Sequence, residues 1–149
     1  MNKFQAVAGT LMLVTSLGAS AGEMGTPPEA KAMSQKAASL VNDKGNAAFA
    51  VFAAEDGGFI SKDLYVFCMD LDGKMLSHAK KPDLVGKNLK DFNKYGDYLF
   101  QDMISVASTK GEGWVEYKWP YPGSEEIRAK TSYIIKNNKG FFCGVGAYK

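Results

Sequence analysis

Residue types that bind metals are sparse in this chain, and those present lack the spacing of a metal site. His78 is the sole histidine, and the two cysteines do not form a Cys-x-x-Cys pair, so no zinc site is predicted. Asp70 and Asp72 lie in an acidic turn, but an EF-hand calcium loop needs glycine at its sixth position and glutamate at its twelfth. Counted from Asp70, Gly73 is fourth and Lys81 is twelfth. We therefore interpret both aspartates as turn formers and expect neither a bound metal nor a cofactor.

Acid–base catalysis would have to use His78 with an acid such as Asp83 or Asp97. The sequence contains no nucleophile-elbow motif, and the histidine has no partner at motif spacing. The pattern therefore favours a protein that is not an enzyme.

The two cysteines, Cys68 and Cys143, each lie in an apolar run. In an oxidising compartment an even number of cysteines favours a disulfide, and the sulfurs would be close if the two strands were neighbours in a sheet. A bridge directly across antiparallel strands has restrictive geometry, and free cysteine is also a common core residue. The sequence leaves both a bridge and two buried thiols open.

The N-terminus has the features of a secretory signal peptide. Lys3 precedes an uncharged, mostly apolar run over residues 4–18, and Ala19-Ser20-Ala21 fits the cleavage pattern. We expect residues 1–21 to be removed, which leaves residues 22–149 as one domain in the periplasm or outside the cell. Removal of Lys3 from the 18 basic residues leaves 17 against 16 acidic ones. They are scattered along the chain, so no nucleic-acid partner is predicted.

A long helix is predicted at the start of this domain. Thr26 and Glu29 form a capping box around Pro27 at the first helical position. Apolar residues then recur at intervals of three and four over residues 33–52, with Gly45 as a candidate bend. The many alanines in this stretch are typical of a helix that packs closely on a sheet.

The remainder of the domain alternates between strand patterns and turns. Residues 64–68 and 74–78 form a predicted hairpin around the acidic turn. A loop with short helical turns over residues 79–96 and a second helix over 97–109 follow it. Three further strands are predicted at 114–119, 128–136 and 141–148. These elements predict an α+β domain with a five-stranded antiparallel sheet.

Several blocks of the sequence resemble the single Cache domain, the extracellular PAS-like sensor module of bacterial chemoreceptors and histidine kinases. The blocks are DLYVFCMDLDGKMLSH at 63–78, PDLVGKNLKDF at 82–92, GEGWVEYKWPYPG at 111–123, AKTSYIIK at 129–136 and FFCGVGAY at 141–148. The resemblance implies a PAS-like sheet with the strand order 2-1-5-4-3. It also implies that the long N-terminal helix packs on one face of the sheet, with the loop and short helix over a ligand pocket on the other.

The same resemblance implies a function in binding a small metabolite. Single Cache domains are similar to receptors for short carboxylates such as acetate, propionate, pyruvate or lactate. Family sensors continue from the last strand into a membrane helix, whereas this sequence ends at Lys149. We therefore expect a stand-alone secreted form that acts through a membrane receptor or transporter. The alternative is a protein-interaction or assembly module with no small ligand, and a homodimer through the long helix is compatible with either function.

For a carboxylate ligand, the resemblance implies a pocket with one cation and a few hydrogen-bond donors. Lys130 is the first candidate for the cation, because the strand residues that follow it are uncharged. Tyr117 would face Lys130 if Trp119 pairs near Arg128, whereas a one-residue slip would place Trp114 there instead.

Three further side chains are candidates for ligand contact. His78 ends the second predicted strand, where an imidazole at the pocket rim would suit a carboxylate. Tyr98 begins the helix that is expected to cover the pocket, and the hydroxyl of Tyr133 needs a partner if it is buried. We interpret the strand glycines Gly144 and Gly146 as positions where a helix approaches the sheet closely.

Overall fold

The computed structural model describes residues 23–149, and the signal peptide predicted for residues 1–21 lies outside the described residues. Within 23–149, no helix is both long and apolar enough to cross a membrane. The elements of this region are α1 Pro27–Lys44, α2 Ala48–Ala53, β1 Val66–Asp70, β2 Met75–His78, α3 Leu99–Thr109, β3 Glu112–Pro120, β4 Ile127–Lys136 and β5 Phe141–Tyr148. Short 3-10 turns occupy Gly45–Ala47 and Pro82–Leu84.

The first helix begins where the capping box predicts. The hydroxyl of Thr26 accepts a hydrogen bond from the Glu29 amide at 3.4 Å, and the Glu29 carboxylate accepts one from the Thr26 amide at 2.8 Å. The predicted long helix is interrupted at Gly45, which has a φ of 59°. Residues other than glycine adopt this backbone conformation only with strain. A 3-10 turn follows this glycine, and α2 then continues to Ala53.

The five strands form one antiparallel sheet with the order β2-β1-β5-β4-β3, which confirms the predicted order. Because side chains alternate along each strand, the sheet has two apolar faces. The α1 face carries residues such as Val66 and Val145 and packs against α1 and α2. The α3 face carries residues such as Phe67 and Ile134 and is covered by α3 and the preceding loop. The predicted α+β arrangement, with helices on opposite faces, is therefore confirmed.

A bulge in β2 places two of its side chains on the α3 face. Phe67 pairs with His78 and Met69 pairs with Met75, so Leu76 is left without a partner in the β1 register. His78 and Met75 are three residues apart and would point to opposite faces of a regular strand. The extra residue removes this conflict, and both side chains are buried.

The loop after β2 covers the outer edge of that strand. The Met75 amide donates to the Lys87 carbonyl at 3.0 Å, and the Gly86 amide donates to the Met75 carbonyl at 2.8 Å. Gly86 has a φ of 88°, and a Cβ at this position would meet no atom within 4 Å. Glycine is therefore favoured here by the backbone conformation of the turn and not by a lack of space. Further along the loop, the rings of Phe92 and Tyr95 contact Trp119, with centroids 5.9 and 5.8 Å away. The loop is therefore part of the cover over the α3 face.

Cys68 and Cys143 form a disulfide, which decides between the two alternatives that the sequence leaves open. They lie directly opposite each other on β1 and β5, with Cα atoms 4.0 Å apart. Both are buried on the α1 face of the sheet. The bridge therefore joins the two central strands beneath the N-terminal helices.

Candidate functional site

A small enclosed recess lies between the α3 face of the sheet and its cover. Its walls are formed by Tyr65, which directly precedes β1, by His78 of β2, and by Tyr117 and Trp119 of β3, and side chains of α3 close it. Its volume is about 10 Å³, which is room for about one water molecule. We call this space the inner cavity.

Lys130 is fully buried beside these aromatic side chains, with 1% of its surface exposed. Its Nζ donates to the Tyr65 hydroxyl at 2.9 Å and lies 4.2 Å from the centre of the Tyr65 ring and 4.5 Å from that of Tyr148. No carboxylate of residues 23–149 forms an ion pair with it. Burial lowers the pKa of Lys130 from 10.5 to about 7, and the charge of Asp63 partly opposes this shift. The site therefore holds a cation that lacks a paired anion.

Gly146 makes the space for the Lys130 side chain. A Cβ at this position would lie 2.3 Å from Cε of Lys130 and 2.4 Å from Oγ of Ser132. At Gly144, a Cβ would meet side chains of Ile134 and Phe67, which also lie on the α3 face. The space beside both glycines is thus filled by side chains of neighbouring strands, so the interpretation that a helix approaches the sheet closely at these positions is wrong.

Tyr117 faces Lys130, as the predicted register requires. Tyr117 pairs with Lys130 and Trp119 pairs with Arg128 across β3 and β4. The Tyr117 hydroxyl shares a 2.6 Å hydrogen bond with Oγ of Ser132, and burial raises the pKa of Tyr117 well above its usual range. The two hydroxyls therefore form a neutral polar pair beside the buried ammonium.

His78 supplies a neutral imidazole to the wall of the inner cavity. Its Nδ1 accepts hydrogen bonds from the backbone amides of Lys81 at 2.9 Å and Lys80 at 3.3 Å, so the proton of the neutral ring is on Nε2. Burial first, and then the charges of Lys130 and Lys81, lower the pKa of His78 to about 3. At neutral pH the ring is therefore a fixed donor through Nε2–H and carries no charge.

Three of the predicted ligand-contact residues, Trp114, Tyr133 and Tyr98, lie outside the inner cavity. Trp114 pairs with Tyr133, and the ring of Tyr133 has Nζ of Lys31 from α1 above it at 4.8 Å. Both aromatic residues thus belong to the α1 face, and Trp114 is 40% exposed there. The Tyr133 hydroxyl donates to Glu112. Tyr98 is 48% exposed, and its hydroxyl accepts from the Asn93 side chain at 3.2 Å.

Several residues of the site were missed by the sequence analysis. Tyr65 and Tyr148 surround the ammonium of Lys130, and Trp119 separates the inner cavity from the surface. Alternation could have found Tyr148, because it pairs directly with Lys130. No pattern in the residues around Asp63 indicates that this side chain is buried. One of its oxygens accepts a hydrogen bond from the Gly25 amide at 2.6 Å, and the other has no hydrogen-bond partner among the described residues.

A larger space adjoins the inner cavity and shares its Tyr65 and Trp119 walls. It has a volume of about 140 Å³ and extends to Lys80, Lys81 and the turn over residues 120–124 that joins β3 to β4. We call this space the outer cavity. The two cavities are therefore neighbours, and Tyr65, which lines both of them, contacts Lys130.

Comparison with known proteins agrees with this architecture. Residues 56–149 match the family model of the Cache domain. A methyl-accepting chemotaxis protein of Pseudomonas putida, McpP, is 36% identical over 88 residues, which cover 58% of this chain and 16% of the relative. The sensor histidine kinase MctS of Rhizobium johnstonii is 32% identical over 89 residues, with 58% and 19% covered. The chain thus spans less than a fifth of the length of these two relatives.

Two solved structures are similar over most of their length. One is a periplasmic sensor domain of a chemotaxis protein, with a TM-score of 0.62, 26% identity, and 80% of this chain and 87% of that chain covered. The other comes from a study of carboxylic acid recognition by a Cache chemosensory domain, with a TM-score of 0.63, 27% identity, and 80% and 85% covered. A chemotaxis protein of Vibrio parahaemolyticus has the same fold at 24% identity, with a TM-score of 0.67 and 81% and 86% covered.

Proposed function

Because this chain belongs to the Cache domain family, we propose that it is a sensory binding domain for a short carboxylate such as acetate, propionate, pyruvate or lactate. The observation that carries the proposal is the buried Lys130 ammonium, which has no ion-pair partner among residues 23–149. A buried charge is costly unless it is paired. A ligand carboxylate supplies the missing anion, and the aromatic walls accommodate a short aliphatic tail.

The other polar groups of the site suit the same ligand. Nε2–H of His78 and the hydroxyls of Tyr65, Tyr117 and Ser132 offer oriented neutral donors near the cation. Charge-assisted hydrogen bonds to a carboxylate are about twice as strong as neutral ones. Lys130 then provides specificity for a carboxylate over a neutral amide, and the neutral donors orient the bound carboxylate.

Ligand entry requires the cover to move. The inner cavity holds about 10 Å³, which suits a single water molecule and is too small for acetate. Binding therefore displaces side chains of the cover, in which α3 and the loop before it pack on Trp119. A ligand that favours the expanded arrangement shifts the population towards it. This movement is the conformational signal of binding.

A partner in the membrane would receive that signal. The relatives are a chemoreceptor and a sensor kinase, and we propose that this domain acts through a membrane receptor or transporter. The buried disulfide supports a location in the periplasm or outside the cell, because such bridges persist in oxidising compartments. A homodimer through α1 is part of the proposal, since half-buried Met33 and Leu40 and exposed Val51 line open grooves on the outer side of the N-terminal helices.

A thermal-shift panel tests the ligand class. Acetate, propionate, pyruvate and lactate are tested, and acetamide and propionamide serve as the neutral analogues of acetate and propionate. A ligand at one hundred times its Kd adds about 2.7 kcal/mol to the free energy of unfolding, so the melting temperature rises by several degrees. The amides should give no shift. Equal shifts with an acid and its amide would show that the charge of Lys130 does not contribute to binding. No response to any acid would favour an interaction module without a small ligand.

A further inference from the structure

The outer cavity differs from the inner one in its charge. The charged side chains in its wall are Lys80 and Lys81, and no acidic residue lines it. Neither lysine forms an ion pair within residues 23–149. An open depression beyond Lys81 adds Lys94, with Glu125 as its one acid. The approach to the inner cavity is therefore a basic surface that attracts anions.

Lys81 is held in place more firmly than an ordinary surface lysine. Its amide donates to Nδ1 of His78 at 2.9 Å, and its carbonyl accepts from the Leu84 amide at 3.0 Å. Pro82 follows it, which restricts the backbone of the preceding residue to extended conformations. The side chain is half-buried. Its position relative to His78 is thus fixed by the fold.

Tyr65 contacts Lys130 and also lines the cavity that holds the other two lysines. Its hydroxyl accepts a hydrogen bond from Nζ of Lys130 at 2.9 Å, and its side chain lines the outer cavity together with Lys80 and Lys81. The inner cavity has Tyr65 as a wall as well. The side chain of Tyr65 and the outer cavity therefore lie between Lys130 and the second cationic position.

We propose that the outer cavity is a second anion subsite and that the ligand is a short dicarboxylate, with one carboxylate at Lys130 and the other at Lys81 and Lys80. This inference rests on the proposed function, because it assumes a carboxylate at Lys130. The outer cavity has about 140 Å³, so a second carboxylate fits there without the expansion that the inner cavity requires. The aliphatic carbons then pass between Tyr65 and Trp119, which form the walls common to both spaces.

The test compares propionate with succinate, which is propionate with one further carboxylate on its terminal carbon. Isothermal titration calorimetry measures Kd for both acids with the wild-type chain and with the double variant Lys80→Met, Lys81→Met. The matched control is Lys87→Met, an exposed lysine of the same loop that lines neither cavity. The variants keep a long side chain, and their melting temperatures without ligand verify that each one folds.

Succinate should bind the wild-type chain and Lys87→Met about tenfold more tightly than propionate does, which corresponds to one additional charge-assisted contact. In the double variant this preference should disappear, while the Kd for propionate stays within twofold of its wild-type value. Equal Kd values for the two acids on the wild-type chain would overturn the inference, as would a succinate preference that survives in the double variant. In both cases propionate binding would leave the proposed function intact, whereas failure of both acids to bind would remove the function and the subsite together.

Discussion

Raising the pH from 6 to 8 should weaken propionate binding about tenfold. The cause is Lys130, whose pKa burial lowers from 10.5 to about 7, against the smaller opposing effect of Asp63. With a pKa of about 7, roughly nine-tenths of the lysine is protonated at pH 6 and roughly one-tenth at pH 8. Because a carboxylate pairs with the ammonium form alone, the apparent affinity follows this fraction.

The neighbouring groups do not produce this profile. The pKa of His78 is about 3, so the ring is neutral throughout this range. Burial raises the pKa values of Tyr65, Tyr117 and Tyr148, and their hydroxyls keep their protons. Propionate itself is ionised at both pH values. Among the shifted groups of the site, Lys130 is thus the one whose charge changes between pH 6 and 8.

Isothermal titration calorimetry at pH 6, 7 and 8 measures the effect. At pH 8 the wild-type chain should also take up close to one proton per bound ligand, which appears as a dependence of the binding enthalpy on the ionisation enthalpy of the buffer. The variant Lys130→Met should bind weakly and show neither a pH dependence nor proton uptake. A wild-type affinity that is constant from pH 6 to 8, or the same decline in Lys130→Met, would show that the charge of Lys130 does not control binding.

Packing around Lys130, the disulfide and the α1 face determines the expected effects of three further variants. Gly146→Ala should abolish propionate binding and lower the free energy of unfolding by about 1–3 kcal/mol in urea titration, because the new Cβ overlaps Lys130; unchanged binding would contradict this. The double variant Cys68→Ala, Cys143→Ala should lose about 4 kcal/mol in the same assay, the entropic estimate for a link across 75 residues, and a loss under 1 kcal/mol would be inconsistent with it. Trp114→Ala should leave the Kd for propionate within twofold, since this ring lies on the α1 face; a tenfold loss would return Trp114 to the site.

The register of the last three strands could be predicted because it depends on local rules. A turn at residues 120–126 and the alternation of side chains place Tyr117 opposite Lys130. The same alternation places Trp114, three residues before Tyr117, on the other face, and it does so for Tyr133, three residues after Lys130. Once the register is fixed, the sequence pattern itself places these two residues on the face opposite Lys130.

Other parts of the site depend on contacts between distant segments. His78 reaches the α3 face because of the bulge at Leu76, and no residue type in β2 predicts that bulge. Asp63 is buried through its contact with Gly25, 38 residues away. The volumes of the two cavities depend on how the cover packs on Trp119, which local sequence patterns do not describe. The sequence therefore predicts the sheet and its cation, and tertiary packing determines the shape of the pocket.

The disulfide between Cys68 and Cys143 depends partly on local sequence patterns and partly on contacts between distant segments. Both cysteines could be assigned to strands from their apolar surroundings, and the strand order implied by the family resemblance made β1 and β5 neighbours. Whether Cys68 and Cys143 lie directly opposite depends on the register of these two strands. That register is set by packing against α1 and not by a short turn, because 70 and 141 are far apart in the chain.

Above all, we propose that the Lys130 ammonium binds the carboxylate of the ligand. The most direct measurement is the Kd for propionate at pH 6 in Lys130→Met, compared with Lys136→Met, an exposed lysine of the same strand. Lys130→Met should weaken binding at least tenfold without lowering the melting temperature of the free protein, because methionine relieves the cost of a buried charge. Lys136→Met should bind as the wild-type chain does. Equal affinity in Lys130→Met and Lys136→Met would show that the Lys130 ammonium does not bind the ligand carboxylate.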